Sequence, residues 1–374
     1  MTKQTTNAKG AVKFGGSGET VKKYLFAILL SFVIAGIIAA LFGYNPFLMF
    51  LNLFKGAWVG KLNFGTTLEK LTTTLLLATA FNLCTKVQYF NLGLEGSMYL
   101  GALGYAVIGY QFPNLPGYIY LPLCILVAMV IGGIWGVIPA YLKTKWNVNE
   151  VCVNLLMNYV TINFCTYAIY YVWTAKTSIP QTPELCPQVQ IPKIMLPSRA
   201  NVGLFIAIAV FALTAFVIYR TQLGFKVKMV GQNSGFAEYM GLDVTKMILR
   251  TAFISGAIAG LAGGLEVGGL YGRFVDEFAA GASFNGLLAS RLVGNNLLLL
   301  PISSFALSTL LAGAFGVERS MGIQRAFIDC FTAIIIMTVT MEDLKPFCGR
   351  CVQNVRKFFS GKKKVAEAKE EQQS

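Results

Sequence analysis

A carboxylate stands in strongly apolar sequence at Glu95, within the stretch FNLGLEGSM of residues 90–98. A charged side chain at the centre of a bilayer costs about 2.5–3.5 kcal/mol even on lenient insertion scales. Asn91 adds an amide, and Gly93 and Gly96 let neighbouring helix backbones approach closely. The pattern predicts that Glu95 lies inside a helical bundle, either on the path of a polar solute or as a tie between two helices.

A second set of polar residues recurs at helical spacing, three or four residues apart, and therefore shares one helix face. The set is Asn147, Glu150, Asn154, Asn158, Thr161 and Cys165. A face with three amides and a carboxylate does not look at lipid. Two readings stay open, since such amides either bond neighbouring helices together or line a path for a polar solute.

A ribbon of small residues, SGAIAGLAGGLEVGG at 255–269, surrounds another carboxylate, Glu266. Glycines at this density predict close helix packing. Farther along, Arg291 lies in a short apolar stretch that also contains Asn285. A cation there needs a carboxylate, and the candidates are Glu95, Glu266 and Asp276.

The elements that must position these residues are membrane helices. Of 374 residues, 55% are apolar and 13% are charged, which is typical of a polytopic membrane protein. The net charge of +14 comes from the chain ends and short loops, so it indicates anchoring on the cytoplasmic side and no nucleic-acid partner. Histidine is absent, which excludes histidine catalysis and histidine metal ligation. The pair Cys348 and Cys351 lacks a second pair, and we expect no metal site.

Apolar runs predict an all-α protein of about ten transmembrane helices. Their approximate ranges are 24–42, 71–84, 92–112, 120–142, 150–173, 202–219, 247–270, 279–293, 297–315 and 328–341. A short interfacial helix is expected over 47–59. With ten spans, the cytoplasmic side holds both termini with their lysines, the loop with Lys143 and Lys145, and the segment 220–246.

This topology divides the chain into three parts. Residues 1–23 form a cytoplasmic N-terminal tail, 24–342 the transmembrane domain, and 343–374 a charged cytoplasmic C-terminal tail. Within the transmembrane domain, the proline-rich loop 174–201 is extracytoplasmic and irregular, and the polar segment 220–246 is cytoplasmic.

A short internal echo predicts an inverted repeat. Phe90-Asn91, Gly93 and Ser97 resemble Phe284-Asn285, Gly286 and Ser290. The two stretches lie an odd number of spans apart, so the halves would run in opposite directions across the membrane.

The cytoplasmic segment 223–242 is too long and too amphipathic for a simple turn. Asn233 or Ser234 can cap a short helix that Gly241 ends. Exposed Phe236 and Tyr239 on such a helix suit docking in a groove of a partner protein, although a helix lying flat on the membrane is an alternative.

Five ordered motifs carry a resemblance to a known family. They are FNLGLEGSM (90–98), LKTKWNVNEVCVNLLMNYV (142–160), LGFKVKMVGQNSGFAEYMGL (223–242), SGAIAGLAGGLEVGG (255–269) and SFNGLLASRLVGNN (283–296). Over about residues 65–342 the chain resembles the permease subunits of bacterial ABC importers in the ribose/branched-chain amino-acid group, and most of all the nucleoside (guanosine-type) uptake permeases.

The resemblance implies a ten-helix permease in the bacterial inner membrane, working by alternating access. It also implies an ABC ATPase partner docked on 223–242, a second permease subunit, identical or related, and an extracytoplasmic binding lipoprotein. Nucleosides are the expected substrate, with sugars or branched-chain amino acids as alternatives.

The expected translocation residues are Asn91, Glu95, Glu150, Asn154, Asn158, Glu266, Asn285 and Arg291. The expected ATPase-coupling residues are Gly224, Gly231, Asn233, Phe236, Tyr239 and Gly241.

The chain has no GxxxxGK[ST] loop, so we expect it to bind no ATP itself and to leave hydrolysis to a partner chain. We expect no other cofactor in this chain.

Two rival functions remain. A secondary transporter would instead relay protons through Glu95, Glu150 and Glu266. A membrane-embedded enzyme is disfavoured, because no nucleophile–base pair is recognisable.

Overall fold

The computed structural model describes residues 39–175 and 180–323, together with residues 33, 36, 37 and 333. Almost all of them belong to one compact unit, Leu48–Ile328. The predicted tails 1–23 and 343–374 and most of the predicted spans 24–42 and 328–341 lie outside the described residues. The described chain is helical, and its β pairing consists of two isolated bridges, Gln181 with Val275 and Lys193 with Asn201.

The described helices are numbered here in chain order. They are α1 Pro46–Trp58, α2 Lys61–Thr85, α3 Leu94–Gln111, α4 Gly117–Trp146, α5 Glu150–Tyr167, α6 Gly203–Arg220, α7 Gln222–Gln232, α8 Ser234–Tyr239, α9 Val244–Glu266, α10 Ala282–Leu292 and α11 Leu300–Met321. Single π-helical turns, Ala168–Val172 and Val267–Tyr271, extend α5 and α9.

Five of these helices are long and apolar enough to cross a membrane, counted among the described residues. They are α4, α5 with its π turn, α6, α9 with its π turn, and α11 with the 3₁₀ turn that precedes it. The polytopic character is therefore confirmed, while the count of ten spans stays a prediction.

The starts of α2 and α3 differ from the sequence-based expectation. Helix α2 begins at Lys61, ten residues before the predicted start, and its 25 residues span about 37 Å. Helix α3 begins at Leu94, and residues 89–92 before it are not helical. The predicted opening of the third span at residue 92 was thus too early.

The glycine ribbon of α9 packs as predicted. A methyl group at Gly256 would collide with the carbonyl of Gly132 on α4, and one at Gly263 would collide with the carbonyl of Met98 on α3. Residues from Ser255 to Gly269 are buried throughout. Helix α9 therefore forms the centre of the unit, with α3 and α4 packed backbone to backbone against it.

The segment after α9 enters the bundle in two parts. Residues 273–281 are turns and irregular chain, and α10 then runs for 11 residues, about 16 Å, which is half of a bilayer core of roughly 30 Å. The predicted eighth span, 279–293, is therefore a single helix that is too short to cross the bilayer core by itself. The described part of loop 174–201 is irregular as expected and bonds to this segment, with the Leu185 N–H donating to the Gly272 carbonyl at 2.9 Å.

Candidate functional site

Side chains of α5 hold the non-helical stretch 90–93 and the start of α3. The Asn154 amide donates to the Phe90 carbonyl at 3.2 Å, and the Asn158 amide donates to the Leu92 carbonyl at 2.9 Å. The Asn158 side-chain oxygen accepts from the Gly96 N–H at 2.9 Å. Backbone outside a helix at membrane depth must find such partners. Asn154 and Asn158 are buried. Both bonds of Asn158 go to main chain, whereas the Asn154 side-chain oxygen also accepts from the Tyr89 hydroxyl at 3.3 Å.

The same face of α5 begins with an ion pair. Glu150 accepts from the Phe90 N–H at 3.2 Å and pairs with Lys143 at the end of α4. Asn147, which the sequence places on this face, instead ends α4 in a left-handed conformation with φ +50°. Its place in the helical stripe was wrong, because the chain turns between α4 and α5.

Asn91 is fully buried in the non-helical stretch. Its side-chain oxygen accepts from the Gly93 N–H at 3.0 Å, and its amide lies 3.5 Å from the Ser255 hydroxyl of α9. The residue therefore shapes the entry into α3 and ties it to the glycine ribbon.

Glu95 lies inside the bundle, as predicted, with 6% of its surface exposed. One carboxylate oxygen accepts from the Gly281 N–H at 2.9 Å, and the other accepts from the Ser283 hydroxyl at 3.0 Å. Both donors lie at the start of α10. This carboxylate thus joins the first turns of α3 and α10, and both helices begin inside the bundle.

Arg291 does not pair with a carboxylate, contrary to expectation. Within residues 39–175 and 180–323, no carboxylate is at ion-pairing distance from it, and its side chain is exposed, with the guanidinium carbon 5.3 Å above the Phe90 ring. The Asp276 carboxylate instead accepts from the Thr166 hydroxyl at 2.8 Å. Because Arg291 lies in the last turn of α10, its charge faces outward without needing a buried partner.

Glu266 has a different kind of surrounding from Glu95. It is 7% exposed, and one oxygen accepts from the Thr73 hydroxyl of α2 at 3.4 Å. The ammonium of Lys70 lies 3.4 Å from the carboxylate of Glu69, one helical turn before Thr73. A charged cluster therefore lies where α2 meets α9.

The sequence reasoning missed Glu69, Lys70 and Thr73, because it began the second span at residue 71. A signal was present. Thr66, Glu69, Lys70 and Thr73 are spaced by three, one and three residues, which places them on one face of α2, and all four are half-buried.

Asn285 is half-buried near the start of α10, beside the exposed Phe284, and makes no hydrogen bond to the described residues. Ten residues farther along, past the end of α10, the Asn295 carbonyl accepts from the Lys86 ammonium at 2.8 Å. Among the predicted translocation residues, Asn285 and Arg291 are the two whose side chains make no hydrogen bond to the described residues.

The segment 222–242 forms two helices, α7 and α8, of which the short capped helix α8 is the one that the pattern predicts. The Asn233 side chain caps α8 by accepting from the Phe236 N–H at 3.0 Å, and Gly241 follows the helix at φ +80°. Phe236, Tyr239 and Met240 are exposed, Tyr239 to 86%. A two-turn helix between α6 and α9 thus presents apolar side chains away from its own chain.

The two remaining coupling residues, Gly224 and Gly231, touch this chain. A methyl group at Gly224 would collide with the carbonyl of Ile218, and one at Gly231 would collide with the carbonyl of Lys86. These glycines allow α7 to lie close against the ends of α6 and α2.

Residues 63–340 match a protein family described as branched-chain amino acid transport system / permease component. The chain belongs to this permease family. It is therefore an integral membrane protein with a transport role, and the expectation drawn from the five motifs is confirmed.

Among relatives of this permease, the nucleoside ABC transporter permease protein NupB of Lactococcus lactis is 28% identical over 85% of this chain and 90% of its own length. The guanosine ABC transporter permease protein NupP of Bacillus subtilis is 30% identical over 84% of this chain and 91% of its own length. The glucose ABC transporter permease protein TsgB13 of Haloferax volcanii is 28% identical over 86% of this chain and 88% of its own length.

Proposed function

We propose that this permease is the membrane-spanning subunit of an ATP-driven ABC importer for nucleosides. The observation that carries the proposal is α8, a capped helix between two long helices that exposes Phe236, Tyr239 and Met240. Such anchors gain by entering an apolar groove, and a partner ATPase offers one. The names of the two bacterial relatives, nucleoside and guanosine transporter permeases, support the same assignment.

Alternating access is the proposed mechanism. Closure of two nucleotide-binding subunits moves α7 and α8, and this movement switches the pathway between outward- and inward-facing states. The solute passes polar groups at Asn285, Glu266 and the charged cluster of Glu69 and Lys70, which are half-exposed or lie beside half-exposed groups. An inverted repeat fits the two helix starts joined at Glu95, since helices that begin inside the bundle are typical of transporters with such repeats.

The proposed complex contains an ABC ATPase, a second permease subunit, identical or related, and an extracytoplasmic lipoprotein that delivers the solute. It resides in the inner membrane with ten spans and both termini in the cytoplasm, which the basic residues of the tails favour. The chain itself binds no ATP. A cysteine introduced at Ser374 should resist an impermeant thiol reagent in intact cells, and efficient labelling there would contradict the ten-span topology.

The coupling role of α8 is tested by the double variant Phe236→Ala with Tyr239→Ala. Loss of such anchors commonly costs about 2 kcal/mol or more in binding. We expect the reconstituted complex to lose substrate-stimulated ATP hydrolysis and uptake. The matched control is Glu238→Gln on the same short helix, which should behave as the unmodified protein. Full stimulated hydrolysis in the double variant would contradict docking at α8.

Nucleoside specificity is tested through the lipoprotein that delivers the solute. Its thermal unfolding should shift upward with guanosine or other nucleosides and stay unchanged with glucose or branched-chain amino acids. The glucose transporter relative makes sugar import the second candidate. A shift with glucose alone would replace nucleosides by sugars and leave the importer class intact, whereas uptake without any co-purifying ATPase would favour a secondary transporter.

A further inference from the structure

Helix α7 is tied to the chain that leads into the Asn91–Glu95 site. The side-chain amide of Gln88 donates to the Gly231 carbonyl at 2.7 Å. At the same place the α-carbon of Gly231 packs so closely on the Lys86 carbonyl that no side chain fits between them. The close packing can transmit movement of α7 toward residue 86, and the hydrogen bond can transmit movement of α7 away from residue 88.

Gln88 has a backbone conformation that its residue type does not favour. Its φ is +56°, in the left-handed region. The Tyr89 N–H donates to the Cys84 carbonyl at 3.1 Å, and the Gln88 N–H donates to the Thr85 carbonyl at 3.2 Å. This is the Schellman ending of α2, in which the left-handed position is usually glycine, because other residues pay a steric cost there. A glutamine at this position is unfavourable for the turn itself, so we attribute its presence to the hydrogen bond that its side chain makes to Gly231.

The chain that follows Gln88 is held at every step up to α10. The Phe90 N–H donates to Glu150, and Asn158 holds Leu92 and Gly96. Glu95 then binds the start of α10 through Gly281 and Ser283. A displacement of residue 88 therefore moves main chain that ends at the carboxylate joining α3 and α10.

We propose that Gln88 is a positioning residue that transmits movement of α7 to the stretch 90–96 and from there to α10. This inference rests on the proposed function, since the movement of α7 comes from the partner ATPase. Glycine at position 88 would serve the turn better and break the transmission. If Gln88 served the fold alone, its replacement would lower stability and leave the transmission intact.

The decisive variant is Gln88→Gly in the complete complex of permease, ATPase and lipoprotein. The purified permease should unfold at an unchanged or higher temperature, because glycine relieves the left-handed backbone. Basal ATP hydrolysis should stay within about twofold of the unmodified complex, while uptake per ATP hydrolysed falls roughly tenfold, within the range that changes along a coupling route produce. Gln88→Ala should show the same uncoupling with lower stability.

The matched control is Gln232→Ala. Gln232 lies next to Gly231 on α7 and is exposed, and its side chain makes no hydrogen bond to the described residues. Its loss should leave the ratio of uptake to hydrolysis unchanged. An unmodified ratio in Gln88→Gly, or an equal fall in Gln232→Ala, would overturn the role of Gln88.

A second measurement needs no partner protein. Hydrogen exchange of the permease alone should show faster exchange of the amides of 86–93 in Gln88→Ala than in Gln232→Ala, since α7 no longer restrains that stretch. Equal exchange would overturn the tie. The unmodified complex tests the proposed function separately. Absence of substrate-stimulated ATP hydrolysis there would contradict the importer, independently of the role of residue 88.

Discussion

The stretches 90–97 and 284–290 share the residues Phe-Asn, Gly and Ser, yet they differ in how their polar groups are used. Asn91 is fully buried and bonded, and main chain around it is held by Asn154 and Asn158. Asn285, its counterpart, is half-buried and unbonded among the described residues. The asparagine of the first stretch therefore supports the fold, whereas the asparagine of the second has free hydrogen-bonding capacity among the described residues. The same residue type at matching positions of the two stretches therefore does not indicate the same role.

Asn158→Leu should have the largest effect, because it attacks the support directly. It leaves the Leu92 carbonyl and the Gly96 N–H without partners, and each buried unsatisfied group costs about 1–3 kcal/mol. Thermal unfolding of the purified permease should occur at a clearly lower temperature, and uptake should be lost with it. Asn163→Leu is the control, since Asn163 lies on the exposed face of α5 and bonds only within its own helix, to Tyr159. Equal stability of both variants would mean that the stretch does not need its amides.

Glu95→Gln tests the joint between the two stretches. A glutamine accepts from the Gly281 N–H with its oxygen and donates to the Ser283 hydroxyl oxygen with its amide, so both contacts remain but lose the negative charge that strengthens them. Hydrogen bonds to charged groups contribute about 1.5–3 kcal/mol, and we expect a destabilisation near the lower end of that range. Ser283→Ala should show a smaller loss in the same unfolding measurement. A more stable Glu95→Gln variant would show that the buried charge is there for transport and not for the fold.

Asn91→Leu and Asn285→Leu compare the bonded asparagine with the unbonded one. Asn91→Leu should destabilise the fold by about 1 kcal/mol through the lost bond to the Gly93 N–H. Asn285→Leu should leave the unfolding temperature unchanged and reduce uptake, because the side chain it replaces bonds nothing in the described structure. Reversed results for the two variants would break the comparison.

The two serines should give the smallest effects. Ser290 accepts from the Asn82 amide at 3.0 Å and donates to the Asn295 side chain at 3.1 Å, so Ser290→Ala should cost about 1 kcal/mol. The Ser97 hydroxyl is buried and finds no hydrogen-bond partner among the described residues. Ser97→Ala should therefore unfold at the same temperature as the unmodified permease or slightly above it. A loss in Ser97→Ala equal to that in Ser290→Ala would point to a partner for Ser97, such as a buried water molecule.

The amino-acid sequence by itself determined the class of the protein and its local structure. Apolar composition and run lengths predicted the membrane helices, and the spacing of Asn154, Asn158 and Thr161 predicted one buried face of α5. The cap at Asn233 and the turn at Gly241 were also predicted, since both depend on neighbours within a few residues. Glycine density predicted the close packing of α9 for the same local reason.

Only the tertiary structure decided which groups meet. The partner of Asn158 lies 62 residues away at Gly96, and the partner of Glu95 lies 188 residues away at Ser283. Residue types alone made Arg291 a candidate partner for Glu95, and the misplaced start of α2 left Glu69 and Lys70 outside the predicted span. Hydrogen bonds have a reach of about 3 Å, so pairing at such separations depends on how helices pack, which no local pattern encodes.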